Sequence, residues 1–496
     1  MGFLQLPFLF YPTNMSFSFT TIPQFHQQLK SGATTCINAV EHFLLEIETK
    51  KHLNAFVAVF AQDARGQAVI LDARIAAGDE LLPLHGVVIA VKDVMCIKDK
   101  PVSAASHMLK GFHSLYTATA LQRLINAGAI IIGTCNCDEF AMGSSNENSA
   151  YGPALNAADT TKVPGGSSGG SAVAVQASLC MLSLGSDTGG SVRQPAGFCG
   201  VVGLKPGYGR ISRYGLIAYG SSFDCIGVFG KSVSDVAMVF ETMAGHDALD
   251  ATSGIQPVQI FSPGYTDNLK YRFAYFESTL TLPGLDPEIR TQFEGLLEKL
   301  RSEGHIVEAV PFELLDYIVP AYYVLTTAEA TSNLSRYDGV RFGHRSAIET
   351  DDLTEFYKHN RSEGFGAEVK RRIMLGNFVL SSGFYDAYFT KAQQVRKLLC
   401  DQTSTVFRSY QALLMPVSPT TAFSAGSHSA DPVAMYLADI YTVFANLTGI
   451  PGMAVPLFEH SNGMPYGLQV MTNQWDELTL HHICYYLKSR FAKDLI

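Results

Sequence analysis

Several features that would assign a function at once are missing from this chain of 496 residues. Lysine and arginine form no cluster that could neutralise a row of phosphates, and the formal net charge is −9, so we do not expect this chain to bind nucleic acid directly. No uncharged apolar run approaches the roughly 18 residues needed to span a bilayer. The opening GFLQLPFLFYP has no basic start and no small-x-small cleavage site, so we expect neither export nor a membrane anchor, and Met15 is an alternative start.

Cysteine patterns typical of disulfide frameworks and metal sites are also missing. The 9 cysteines are an odd number, are widely scattered and form no C-x-x-C pair. A reduced, cytoplasmic protein is the interpretation that we prefer. Cys135 and Cys137 are separated by one residue and have no partner pair at zinc-finger spacing. We therefore treat them as small buried side chains and expect no metal ion in this chain.

The composition is typical of a folded protein with a large interior, because 47% of the residues are hydrophobic and 16% are charged. The length would permit more than one domain. However, no internal repeat or low-complexity linker divides the chain, and the polar stretches 248–263 and 422–432 are expected to be surface loops. We therefore predict a single domain.

Hydrophobic periodicity predicts two amphipathic helices. The apolar face of the first is formed by Val40, Phe43, Leu44 and Ile47. The second begins after the N-cap residue Asp286, has Pro287 in its first turn and ends at Gly304.

Two short apolar runs, 87–91 and 129–132, show no alternation with polar residues. Each is too short for a buried helix and is rich in β-branched residues, so both are predicted to be strands covered on both faces. A helix-like stretch over 121–127 precedes the second run. A helix followed by a buried strand is the order of elements that is typical of an α/β layered core.

A glycine- and serine-rich stretch from Val163 to Pro195 raises the question of which serine does chemistry. Gly165–Gly169 satisfies G-x-S-x-G, but that nucleophile elbow requires a strand directly before it, and the preceding residues are polar. A phosphate-binding loop would need Gly-Lys-Ser/Thr, and this chain has Gly169-Gly170-Ser171. Taken by itself, such a stretch is more typical of a structural loop.

A nucleophilic serine also needs a base within hydrogen-bond reach. The nearby histidines His85, His107 and His113 stand in no motif that would place them against a serine. Lys92 directly follows the apolar run 87–91, so burial could favour its neutral, basic form. A lone lysine at a strand end is more often solvated, so this pattern alone leaves its role open.

Four segments together resemble the amidase signature family: Gly86–Asp93, Gly143–Pro153, Val163–Val175 and Leu184–Arg210. The resemblance implies an α/β fold with a large mixed central β-sheet covered by helices on both faces. It implies one domain over 16–492, with a signature core at about 84–230 and a substrate-specifying half at about 270–492. Residues 1–15 are expected to be disordered or a non-native start.

The same resemblance implies a Ser-cisSer-Lys triad. Ser191 would be the nucleophile, Ser167 would bridge after a cis Gly166–Ser167 peptide, and Lys92 would be the base. The backbone N–H groups of Thr188, Gly189 and Gly190 would form the oxyanion hole, because small residues leave room for the substrate carbonyl. Asp187, Arg193 and Ser168 also match family positions, and we expect them to support the loop.

Segments 321–343, 368–389 and 431–456 resemble the glutaminase subunits of bacterial tRNA-dependent amidotransferases. This implies glutamine as the substrate, recognised by Tyr323, Arg372 and Asp439. The chemistry fits, because a free amino acid presents a carboxylate to a guanidinium and an ammonium to a carboxylate.

The amidotransferase resemblance also implies partners. A B subunit would bind the tRNA, use ATP and Mg²⁺, and convert Glu-tRNA(Gln) or Asp-tRNA(Asn), while a small C subunit would hold the two larger chains together. This chain would carry no cofactor of its own. Three alternatives remain at this point: a free-standing hydrolase of small, aryl or fatty amides, a catalytically silent scaffold protein, and a nucleotide-binding module.

Overall fold

One mixed β-sheet runs through the computed structural model, which describes residues 17–262, 269–427 and 438–492. The expectation for residues 1–15 lies outside the described residues. The sheet has 11 strands in the order β1-β3-β2-β4-β6-β5-β10-β11-β9-β7-β8. In chain order they are β1 Phe56–Val59, β2 Val88–Lys92, β3 Ile130–Cys135, β4 Leu182–Asp187, β5 Val202–Lys205, β6 Cys225–Gly230, β7 Arg272–Phe276, β8 Ile306–Val310, β9 Ala412–Pro416, β10 Gly452–Glu459 and β11 Pro465–Met471.

Burial along the strands follows their place in the sheet. Every residue of β2, β3, β4, β5, β6 and β9 is buried, whereas the two edge strands β1 and β8 are partly exposed. The predicted apolar runs become β2 and β3, which pair in parallel. Strands buried on both faces read as continuous apolar runs, so the α/β prediction with a mixed sheet is confirmed.

Helices cover the sheet and connect its strands. In chain order they are α1 Ile22–Ser31, α2 Cys36–Thr49, α3 Ala61–Ala76, α4 Thr119–Asn126, α5 Gly169–Gln176, α6 Arg193–Cys199, α7 Val233–Met243, α8 Glu277–Leu280, α9 Pro287–Ser302, α10 Leu315–Leu334, α11 Leu353–Gly364, α12 Ala367–Leu380, a π-helical segment Asp386–Thr390, α13 Lys391–Val406, α14 Val443–Thr448 and α15 Glu477–Phe491. No helix in the described parts of the chain is both long and apolar enough to cross a membrane.

The two amphipathic helices predicted from periodicity are confirmed as α2 and α9. The Asp286 side chain accepts a hydrogen bond from the Glu288 N–H at 2.8 Å, which caps α9 as the sequence indicates. Helix α5 consists mostly of small residues, begins at Gly169 and ends at Gln176. The chain turns out of the helix there, and Ser178 has φ 57°.

Helix α5 packs so closely on the backbone next to β1 and β3 that glycine is required at its second position. A Cβ on Gly170 would lie 2.4 Å from the Asn136 carbonyl oxygen and 2.6 Å from that of Ala55. The N–H of Gly170 also donates to the Asn136 carbonyl at 3.1 Å. Two segments of backbone therefore meet α5 at contact distance.

We predict that Gly170→Ala destabilises the fold by about 1–3 kcal/mol, because backbone at contact distance must move to admit a methyl group. Gly66→Ala is the matched control, since Gly66 lies inside α3 with nothing within 4 Å of its Cβ position. That change should stabilise by about 0.5–1 kcal/mol through helix propensity. Thermal unfolding midpoints measure both, and a shift in the same direction for both variants would contradict the packing argument.

Candidate active site

Lys92 is the last residue of β2, which lies between β3 and β4 in the sheet. Its side chain is 0% exposed. The Nζ atom lies 2.6 Å from Ser167 Oγ and 2.9 Å from Ser186 Oγ. Because β2 and β4 are parallel, their carboxyl ends meet at one edge of the sheet, which brings Lys92 beside Ser186 of β4.

Burial lowers the pKa of Lys92 to about 8, since removing an ammonium from water disfavours its charged form. Nearby acidic groups, among them Asp138 and Asp187, act in the opposite direction and keep the pKa from falling further. The amine is therefore partly neutral near neutral pH, as a general base must be.

Ser167 sits on a tightly held loop directly before α5. The Gly166–Ser167 peptide bond is cis, as the family resemblance implies. The Ser167 carbonyl accepts from the Asp138 N–H at 3.1 Å, and the Gly166 N–H donates to Gln194 Oε1 at 3.0 Å. A Cβ on Gly166 would lie 2.2 Å from Asp138 Oδ2, so no larger residue fits.

Ser191 lies in the turn between β4 and α6 and is the most accessible of the three predicted triad residues. It is 9% exposed, whereas Lys92 and Ser167 are 0% exposed. The Ser168 N–H donates to the Ser191 carbonyl at 3.2 Å, which joins the two serine segments. The structure thus brings the segments of Lys92, Ser167 and Ser191 to the same edge of the sheet, and the catalytic roles of these residues stay predictions.

A buried ion pair holds the turn that carries Ser191. Arg193 Nη2 lies 2.9 Å from Asp187 Oδ1, and both side chains are 0% exposed. The Asp187 carboxylate also accepts from the N–H groups of Gly190 at 2.8 Å and Val192 at 3.1 Å. Burial by itself raises the pKa of Asp187, but the Arg193 guanidinium, the Lys205 ammonium and the hydrogen bond from Asn446 together hold that pKa well below its usual range. Asp187 and Arg193 therefore support this turn, as predicted.

One of the three N–H groups predicted for the oxyanion hole, that of Gly190, is hydrogen-bonded within the turn. The Gly190 N–H is already donated to Asp187, so Gly190 serves the turn and the candidate donors are the N–H groups of Thr188 and Gly189. A Cβ on Gly189 would lie 2.3 Å from the Tyr322 hydroxyl, which explains why glycine stands there. The Thr188 hydroxyl donates to Asp224 at 2.6 Å and anchors the start of the turn.

The three predicted substrate-binding residues form one buried cluster. Asp439 Oδ2 accepts hydrogen bonds from the Tyr323 hydroxyl at 3.2 Å and from Ser144 Oγ at 2.7 Å. The Arg372 guanidinium carbon lies 5.4 Å from the Tyr323 ring centroid. Burial raises the pKa of Asp439 to about 7. The cluster therefore places a guanidinium and a carboxyl group around one phenol ring.

Arg372 is oriented by residues that the sequence did not single out. Its Nε donates to Glu368 at 2.8 Å, one turn earlier in α12, and its Nη1 donates to the Tyr219 hydroxyl at 2.8 Å. The ring of Tyr219 also lies 5.4 Å from the guanidinium carbon. These contacts keep the guanidinium inside the cluster.

Thr442 connects the substrate cluster to the turn of Ser191. Its N–H donates to the Asp439 carbonyl at 3.0 Å, and its hydroxyl donates to the Gly189 carbonyl at 2.8 Å. A Cβ on Gly190 would lie 2.1 Å from the same hydroxyl oxygen. The proposed recognition residues and the proposed nucleophile therefore belong to one site.

Sequence reasoning missed several polar residues of this site, namely Ser144, Ser186, Gln194, Tyr219 and Thr442. Ser144, Ser186 and Gln194 lie inside the motifs that carry the resemblance, in stretches that are continuously buried. A polar side chain in such a stretch needs a hydrogen-bond partner, which is the signal that could have marked them. Thr442 also lies in a buried stretch, 439–447, of a segment that carries the second resemblance, whereas Tyr219 follows partly exposed residues and has no such local signal.

The described residues contain no group of three or more His, Cys, Asp or Glu side chains that could hold a metal ion. All nine cysteines are free, and Cys135 and Cys137 are buried, as small core side chains would be. The residues before Gly165 form turns and not a strand, so the nucleophile-elbow match is accidental.

We predict that a fluorophosphonate labels Ser191 at a rate that rises about tenfold per pH unit and levels off above about pH 8, since only neutral Lys92 accepts a proton. Labelling should be lost in Lys92→Met, as measured by mass spectrometry. Lys205→Met is the matched control, because Lys205 is also fully buried but its amine donates to the Pro206 carbonyl at 2.8 Å. If Lys92→Met were labelled as fast as the wild-type chain, Lys92 would not be the base.

Known proteins resemble this chain in sequence and in fold. The A subunit of the glutamyl-tRNA(Gln) amidotransferase of Acidobacterium capsulatum is 47% identical over 466 residues, which cover 93% of this chain and 97% of that protein. The crystal structure of the corresponding A subunit from Thermotoga maritima matches with a TM-score of 0.75 and 36% identity over 92% of this chain and 93% of that one. The peptide amidase of Stenotrophomonas maltophilia matches with a TM-score of 0.80 and 26% identity over 97% and 99% of the two chains.

A match to a protein-family model shows the family of this chain. The family model described as amidase matches residues 38–480, which include the triad segments, the Ser191 turn and the substrate cluster. The resemblance inferred from the four motifs is confirmed, and this chain belongs to the amidase family.

Proposed function

We propose that this chain is the glutaminase component of a tRNA-dependent amidotransferase, which hydrolyses glutamine and supplies ammonia for the amidation of Glu-tRNA(Gln) or Asp-tRNA(Asn). The proposal is carried by one observation: a buried cluster of Arg372, Tyr323 and Asp439 shares Thr442 with the turn of Ser191. The names of the curated relatives from several bacteria support the same function.

Glutamine fits the cluster because its two charged groups match the two charged side chains. The Arg372 guanidinium pairs with the α-carboxylate, and the Asp439 carboxylate pairs with the α-ammonium. The side-chain carboxamide then extends toward the Ser191 turn, which Thr442 holds against the cluster. A neutral aryl or fatty amide offers no charged group to either side chain, so its binding would gain neither of these charge-assisted hydrogen bonds.

The reaction begins when Ser191 Oγ attacks the carboxamide carbon. The Ser191 proton passes to Ser167, and the Ser167 proton passes to the neutral amine of Lys92. The N–H groups of Thr188 and Gly189 stabilise the resulting oxyanion, where one such donor is typically worth about 2.7–4 kcal/mol. The relay needs the amine and the bridging hydroxyl to be adjacent, and Nζ lies 2.6 Å from Ser167 Oγ.

Collapse of the intermediate breaks the carbon–nitrogen bond. The proton held by Lys92 returns through Ser167 to the leaving nitrogen, so ammonia departs and a γ-glutamyl ester of Ser191 remains. A water molecule then attacks the ester, with the same relay taking its proton. Glutamate is released and Ser191 regains its hydrogen.

The partners follow from the proposed function. A B subunit would take up the ammonia, bind the tRNA and use ATP and Mg²⁺ for activation, and a C subunit would join the two larger chains. We propose that this chain itself works without a cofactor and acts in the cytoplasm, where charged tRNA is found.

The first test is ammonia release from glutamine compared with a panel of simple, aryl and fatty amides. Arg372→Met and Asp439→Asn should each raise KM for glutamine by about 10–100-fold, because each removes a charge-assisted hydrogen bond. Lys370→Met is the matched control, since Lys370 lies in the same helix, is exposed and donates to the Ser362 carbonyl at 3.0 Å, so its loss should change KM less than about twofold. A chain that ignores glutamine and turns over simple amides would instead be a free-standing amidase.

The second test uses the pKa of Asp439, which burial raises to about 7. Only the ionised carboxylate binds an ammonium, so KM for glutamine should fall as the pH rises through about 7. This dependence of KM on pH should disappear in Asp439→Asn. Steady-state kinetics between about pH 6 and 8 measure this, and a KM that does not change with pH in the wild-type chain would remove Asp439 from ammonium recognition.

A further inference from the structure

Gln194 lies in α6, one helical turn after Ser191, and is 0% exposed. Its Oε1 accepts from the Gly166 N–H at 3.0 Å, and its Nε2 donates to the Ser144 carbonyl at 2.9 Å. A backbone N–H only donates and a carbonyl only accepts, so the two partners determine which way the amide faces. Gln194 is thus a bridge with a fixed direction between two loops.

Each end of this bridge leads to a functional group. Gly166 directly precedes Ser167, the proposed relay residue. On the other side, the Ser144 hydroxyl donates to Asp439 Oδ2 at 2.7 Å. A continuous buried path therefore runs from Asp439 through Ser144 and Gln194 to the Ser167 loop.

The surroundings leave the Gln194 amide little room to move independently. A Cβ on Gly165 would lie 2.6 Å from Gln194 Oε1 and 2.8 Å from the backbone of Pro195. Side chains packed this closely transmit a displacement and do not absorb it. A small shift of Ser144 toward or away from Asp439 would therefore displace Gly166.

We propose that Gln194 is a positioning residue that couples recognition of the substrate ammonium at Asp439 to the placement of the Ser167 hydroxyl. The inference rests on the proposed function, because it needs a substrate with an α-ammonium group. Its consequence is kinetic: the ammonium raises kcat as well as lowering KM, since its binding energy is used to align the relay.

The test compares glutamine with glutaric acid monoamide, which is glutamine without its α-amino group. Both are assayed with the full chain, purified together with any subunits that accompany it. In the wild-type chain, kcat for glutamine should exceed kcat for the monoamide by about tenfold or more. In Gln194→Leu, kcat for glutamine should fall to about the level of the monoamide, whose own kcat should change less than about twofold.

Two further variants separate coupling from general support. Gln176→Leu is the matched control, because Gln176 is a buried glutamine that accepts from the Ala157 N–H and donates to Asn156, both at 2.9 Å, and touches neither end of the path. Gln176→Leu should not lower kcat for glutamine more than kcat for the monoamide. Ser144→Ala breaks the path at the Asp439 end with a smaller change and should reproduce the selective loss, and the double variant with Gln194→Leu should be no worse than either single one.

Equal losses of kcat on both substrates in Gln194→Leu and Ser144→Ala, or an effect on KM alone, would overturn the coupling while leaving the proposed function intact. A wild-type chain that releases no ammonia from glutamine would overturn the proposed function and this inference together. If Gln194→Leu does not fold, as judged by its thermal unfolding, Ser144→Ala alone decides the outcome.

Discussion

The enclosure of one amine within the sheet is the constraint on which the site depends. An exposed lysine is fully charged at neutral pH and cannot accept a proton, whereas burial lowers the pKa of Lys92 to about 8. A buried amine needs partners, and here it has the hydroxyls of Ser167 and Ser186. Those partners come from the loop before α5 and from β4, so the environment that makes Lys92 a base also assembles the relay around it.

The second half of the chain completes this site without contributing a triad residue. Asn446 donates to Asp187 Oδ1 at 3.0 Å, Gln469 accepts from Arg193, and the Thr442 carbonyl accepts from Arg193 at 2.7 Å. These contacts satisfy a buried ion pair that would otherwise be costly to remove from water. The turn that presents Ser191 is therefore held jointly by the signature core and by the segment that carries Asp439, so recognition and chemistry are built from one network.

Several residues of that network could be anticipated and others could not. Lys92 ends an apolar run, and the four motifs point to Ser167, Ser191 and their support by Asp187 and Arg193. The hydrogen bond from the Gly190 N–H to the Asp187 carboxylate could not be anticipated, because nothing in the sequence shows how that carboxylate is oriented. Gln194 was overlooked for a similar reason: its two partners, Gly166 and Ser144, are 28 and 50 residues away along the chain.

Local patterns and the four motifs were enough to predict the family, the buried strands β2 and β3, and the helices α2 and α9. These features can be read within a few residues, because strand burial and helix capping are properties of neighbouring side chains. The strand order, the bounds of α5 and the meeting of Thr442 with Gly189 across 253 residues became visible only in the folded chain. Such contacts depend on how the whole sheet assembles and packs, and no short stretch of sequence encodes that.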